Sequence, residues 1–137
     1  MKTSKIITIS SKLFVALSGL SLIYVSLLSL INPQATMDLV HVNLSNTDAI
    51  SSIRGIYGGA GIAITTSFLW VFFQQPRWSL TFLALFWGGY ALSRILTIII
   101  DGSLGEFGNQ WLVIETIFCC IAILLALLYP QKETYFN

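Results

Sequence analysis

Arg54, Arg94 and Glu115 are ionisable residues set inside long apolar runs of a 137-residue chain. A charge at the centre of a bilayer costs roughly 2.5–3.5 kcal/mol on insertion scales, so such residues face a bundle interior or a wet cavity and find partners there. Two guanidinium groups and one carboxylate allow two chemistries. One is a buried ion-pair network that fixes helix register. The other is a pocket of net positive charge, in which an arginine short of a local partner receives an anionic group such as a lipid phosphate or a carboxylate. Asp101 and Asp48 are the loop acids that would otherwise complete the pairing.

Two tyrosines and two glycine pairs accompany the arginines. One run reads Arg54, Tyr57, Gly58-Gly59, and a later one reads Gly88-Gly89, Tyr90, Arg94. Spacings of three and four residues keep Arg and Tyr on one helix face. Two antiparallel helices carrying these runs would each offer an arginine, a tyrosine one turn deeper and a glycine pair below. Gly55, Gly59 and Ala63 recur every four residues, the pattern of a small-residue seam that lets helices approach closely. Ala84, Gly88 and Ser93 form a less regular seam, with Gly89 beside it, and Ser11, Ser18 and Ser29 form a narrow stripe. The glycines are expected to serve packing.

The elements that must position these residues follow from composition. The chain is 55% hydrophobic and 9% charged, with a mean hydropathy of +0.81. About 25% charged residues is usual for a soluble domain. So few charges cannot cover a water-facing surface, and the length allows one domain. Four runs reach the ~20 residues a helical span needs: about 7–31, 53–73, 80–100 and 111–129. None alternates as a barrel strand does, and only helices satisfy every backbone group inside such segments. The expected fold is all-α, an integral membrane four-helix bundle in contact with the lipid bilayer.

Orientation is read from Lys and Arg in the connections. Lys2, Lys5 and Lys12 precede or open the first span, Arg77 lies between the second and third, and Lys132 follows the fourth. The connections 32–52 and 101–110 hold no Lys or Arg, but carry Asp38, Asp48, Asp101 and Glu106. Both termini are therefore expected in the cytoplasm, with the acidic connections outside and Arg54, Arg94 and Glu115 in the outer half of the membrane. Pro33 is expected to end the first span and Asp101-Gly102 the third, with Thr47, Asp48 or Ser51 capping the second. Trp70, Trp78 and Trp111 fall near span ends, as interfacial aromatics do. The first span is too long for a signal-peptide core, and is expected to be retained.

Several chemistries lack their parts. No Gly-rich phosphate loop with a following Lys is present, nor a paired-histidine metal motif, so neither nucleotide hydrolysis nor a metal site is indicated. No basic patch suggests nucleic acid. Cys119 and Cys120 are adjacent within an apolar run, a spacing that reads as small buried residues rather than a redox or metal pair. His41, the one histidine, reads as a loop residue or the rim of a pocket. No cofactor can be named.

The run Arg54-Gly55-Ile56-Tyr57-Gly58-Gly59, with Ser93-Arg94 and the later Asp101-Gly102, resembles a family of small bacterial four-helix membrane proteins known as domain of unknown function 4345. These stretches are similar to its Arg-x-x-Tyr-Gly-Gly element and its later Arg and Asp-Gly elements, with Ser93 standing where the family usually has Gly. The resemblance implies a multi-pass protein of the bacterial inner membrane, of unknown activity. A looser similarity in helix number and size exists to the DoxX-type membrane proteins, some linked to quinone or thiol redox chemistry, although no motif here carries that link. Three readings stay open: a binding or accessory module for an anionic headgroup or small ligand, a redox accessory or enzyme acting with a quinone or thiol, and a partner subunit that docks other membrane helices or its own copies.

Overall fold

The computed structural model describes residues 2–130, with side chains from residue 4 onward. Its helices are α1 (Lys2–Ile31), α2 (Pro33–Asp38), α3 (Thr47–Ile53), α4 (Ala60–Gln74), α5 (Pro76–Ile100) and α6 (Glu106–Leu128). A π-helical turn, Arg54–Gly59, joins α3 to α4 without a break. Four rods are long and apolar enough to cross a membrane: Ser4–Ile31, Thr47–Gln74, Pro76–Ile100 and Glu106–Leu128. The protein is an all-α membrane bundle, with no strand among the described residues. The side chain of Lys2 and all of Lys132, which carry part of the charge bias, lie outside the described residues.

All four spans begin earlier than hydropathy alone suggests: at Lys2, Thr47, Pro76 and Glu106 rather than near 7, 53, 80 and 111. The reason is local. Each first turn is polar, so hydropathy falls there before the helix ends. Asn46, not Thr47, Asp48 or Ser51, caps α3, its side-chain oxygen accepting from the Ala49 N–H at 2.8 Å. Pro76 opens α5 with the fixed φ that suits a first helical position. The ends match the sequence signals. α1 stops at Ile31, before Pro33, and α5 stops at Ile100, with Gly102 at φ +105 supplying the left-handed residue that closes the turn.

The first connection is not a bare loop. Asn32 caps α2, whose Pro33, Thr36 and Met37 are buried against α1. The Ser29 and Thr36 hydroxyls meet at 2.9 Å. This end of the bundle, holding α2 and the 101–105 connection, is termed distal; the end at Gln75, which alone separates α4 from α5, is proximal.

α5 and α6 make the most extensive helix contact, while α1 packs along the π-helical turn and α4. α4 reaches α5 as well, but the π-helical turn has at most marginal contact with α5. The distal half therefore divides into two pairs, α1 with the second span and α5 with α6. The shared core, including Phe14, Val15, Phe68, Leu83, Trp87 and Ala122, knits the four helices below that division.

Large apolar side chains crowd the outside: Leu13, Leu20, Phe73, Leu85, Ile99 and Leu127 are all more than 60% exposed. An exterior of this kind is untenable in water and ordinary in lipid. Lipid removes the hydrophobic drive for helix association, leaving close packing and interhelical hydrogen bonds. The α1 serines supply both. Ser11, Ser18, Ser26 and Ser29 are all buried, and Ser18 Oγ accepts from the Trp87 indole N–H at 3.3 Å.

Candidate functional site

α5 and α6 run antiparallel and bring Arg94 beside Glu115. Arg94 Nε donates to Glu115 Oε2 at 2.6 Å, and Nη2 donates to Oε1 at 2.8 Å. Glu115 is 2% exposed and the arginine side chain 20%. A fork-to-fork pair of this kind is the arrangement in which a carboxylate tolerates burial. It is the one ion pair among the described residues.

Arg94 is not consumed by that pair. A guanidinium carries five N–H donors, and Glu115 takes two. The remaining three have no protein partner among the described residues. Arg94 also lines a distal cleft of about 560 Å³. Leu39, Val40 and His41 form one wall, and residues 104–108 with Gln110 form the other.

Of the residues singled out by their types and spacing, the structure joins Arg94 and Glu115 directly, with Tyr90 one turn below Arg94 on α5.

Arg54 is not among them. Its Nε donates to the Leu30 carbonyl at 3.1 Å, at the last turn of α1, and it has no carboxylate within 4.0 Å among the described residues. Arg54 does not line the cleft that Arg94 lines; its turn packs on α1, while α5 packs on α6. Asp101 is exposed and serves as the C-cap of α5, its N–H bonded to the Thr97 carbonyl rather than its carboxylate to Arg94.

The glycines also differ from expectation. A Cβ on Gly55, Gly59 or Gly89 would meet nothing within 4 Å, so the Gly55–Gly59–Ala63 face is not a seam within this chain. The close approaches are at two of the glycines expected to pack, Gly58 and Gly88, and at Gly61. A Cβ on Gly58 would lie 2.6 Å from Leu30 side-chain carbons, one on Gly61 would collide with Ser26, and one on Gly88 would sit 3.1 Å from Cys119 Sγ. Gly58 belongs to the π-helical turn. Cys119 donates weakly to the Ala84 carbonyl at 3.4 Å; Cys120, expected to be buried, points outward and is exposed.

Two features of the cleft had no signal beforehand. His41 adopts a left-handed backbone, φ 57, a conformation in which His is enriched. The Gln34 side chain fixes the segment leading to it, donating to Asp38 Oδ1 at 2.6 Å and the Val42 carbonyl at 3.0 Å while accepting from the Leu44 N–H at 2.9 Å.

Four membrane-length helices with a single polar constellation between two of them define a small polytopic membrane protein. The chain belongs to the family described as domain of unknown function (DUF4345), whose model matches residues 10–126. That span takes in α2, the π-helical turn and the Arg94–Glu115 pair. Neither curated proteins nor solved structures give a match.

Proposed function

We propose that the distal end of the bundle is a binding module, and that Arg94 presents hydrogen-bond donors to a headgroup or small solute entering the cleft. The carrying observation is that Arg94 lines this cleft with three N–H groups uncommitted after Glu115 is bonded. Glu115 orients the guanidinium and offsets its charge. Tyr57 and Tyr90 are assigned to the same site by their spacing from the arginines along their helices. Glu106 stands across the cleft, so the ligand that fits carries an anionic group for Arg94 and a donor for the acidic rim. This reading describes an accessory or binding protein of the bacterial inner membrane, with both termini cytoplasmic and the cleft facing outward. The charge bias of the connections supports that orientation.

The test is native mass spectrometry of the protein extracted in mild detergent, comparing wild type with Arg94→Gln and with Gln110→Ala. Gln110 lines the cleft but is exposed and contributes nothing to the core, so its variant isolates binding from folding. A discrete adduct on wild type, lost from both folded variants, is expected. An adduct that survives in both, or wild type free of any adduct, would overturn the reading.

A second reading has its own observation. Gly55, Gly59 and Ala63 lie exposed along the second span with no neighbour inside the chain. Such a face accommodates another membrane helix, from a partner or from a second copy. Ala63→Cys crosslinking in membranes tests it: a disulfide-linked dimer or a defined heteromer supports this role, and monomer alone opposes it.

A further inference from the structure

A second cleft lies at the opposite end from Arg94. It has a volume of about 980 Å³ and forms where α4 turns into α5. Its walls are Thr8 of α1, Gln74 to Trp78 and Thr81 around the turn from α4 into α5, and Tyr129-Pro130 after α6.

The lining has one charge, Arg77, and no carboxylate among the described residues. Arg77 forms no ion pair and no side-chain hydrogen bond among those residues. Its position compounds the imbalance. It sits in the first turn of α5, where the helix has neither a side-chain cap nor an acidic residue. The helix dipole is positive there, so a cation at that position is unfavourable until an anion joins it. The amides of Gln74 and Gln75 and the Tyr129 hydroxyl have no partners among the described residues and can donate.

Around this polar mouth the surface is made for the membrane boundary. Phe73 is 82% exposed and Trp78 67% exposed. Trp at such a level sits among lipid headgroups with its ring in the apolar boundary.

We infer that this proximal cleft binds the phosphate of an acidic phospholipid headgroup, with Arg77 as the charged contact and the Gln74, Gln75 and Tyr129 side chains as further donors. The site is independent of the distal cleft. It uses the other leaflet, and no residue lines both.

The experiment uses the full chain in mild detergent, titrated with short-chain phosphatidylglycerol, short-chain phosphatidylcholine and inorganic phosphate, with thermal stability and native mass spectrometry as readouts. Wild type is expected to bind phosphatidylglycerol and gain stability, with phosphatidylcholine much weaker. Arg77→Gln, at an exposed position, is expected to fold as wild type does and bind phosphatidylglycerol about tenfold or more weakly, the loss of one charge-assisted contact. Arg54→Gln, which removes the unpaired cation at the other end, should bind as wild type does. Equal binding by Arg77→Gln, or equal response to the two lipids, would overturn the site. Inorganic phosphate matching phosphatidylglycerol would overturn the lipid as its occupant. Arg94→Gln is expected to keep the phosphatidylglycerol response, so failure here and failure of the distal reading are told apart.

Discussion

Arg94 and Glu115, 21 residues apart in the chain, grip each other through both carboxylate oxygens between α5 and α6. The pair fixes the register of the bundle's most extensive helix contact. It also places a guanidinium at the wall of a cleft with donors to spare. A structural role and the proposed ligand-facing role therefore fall on one side chain, and they separate by experiment.

Removing one member leaves the other uncompensated in a low-dielectric setting. Glu115→Leu and Arg94→Leu are each expected to destabilise the bundle by about 3–5 kcal/mol, the cost of breaking a buried pair. Replacing both residues by leucine should cost less than the sum of these two single changes. Thermal unfolding of wild type and the three variants in one detergent gives the cycle. Additive losses would show that the pair is not coupled.

The true seam of the second span predicts an asymmetry among glycines. Gly61→Ala and Gly58→Ala each force a methyl into Ser26 or Leu30 of α1, and overpacking of that kind costs typically 1–3 kcal/mol. Gly55→Ala and Gly59→Ala meet nothing and are expected to leave the monomer's melting temperature nearly unchanged. Equal effects at all four positions would contradict the close approach between α1 and the second span.

Trp87 is buried, and its indole N–H reaches Ser18 across the bundle. Ser18→Ala removes only a hydroxyl, yet strands a buried donor, so a loss of about 1–3 kcal/mol is expected. Ser21→Ala, a half-buried serine bonded to its own helix at the Leu17 carbonyl, is the control and should be near neutral. The comparison is read from melting temperatures, and from tryptophan emission, which should change in Ser18→Ala alone.

The proposed orientation makes a prediction about reagent access. In a Cys119→Ala/Cys120→Ala background, Ser103→Cys in the connection between α5 and α6 is expected to react with a membrane-impermeant maleimide applied to intact spheroplasts. Gln75→Cys is expected to react only after lysis. The reverse pattern would invert the protein in the membrane and put the Arg94 cleft on the cytoplasmic side.

The four spans were legible in the chain because each run of apolar residues is about as long as the hydrocarbon is thick, and little else explains such runs. The meeting of Arg94 with Glu115 was legible too, since similar depth on neighbouring helices leaves few alternatives. Arg54 was not. Depth alone put it level with the others, but lateral placement depends on which helices touch, and a hydropathy pattern carries no such information. The glycines were legible only in part. Small residues mark a face where a helix can come close, but not which neighbour does, so Gly58 and Gly88 meet other helices of the chain while Gly55 and Gly59 meet none. Polar first turns hid the starts of α3, α5 and α6, because the criterion that finds a span stops where water begins.

Gln75 alone links the 28-residue second span to the 25-residue α5. At 1.5 Å per residue, α5 is a lever roughly 37 Å long, pinned at one end by a single peptide unit. A tilt of about 5° at that pivot carries its far tip about 3 Å sideways. The same tilt would move Arg94 relative to Val40 and His41 on the distal wall, so a short turn beside the groove that Arg77 lines is where the width of the distal cleft is most sensitive to backbone geometry.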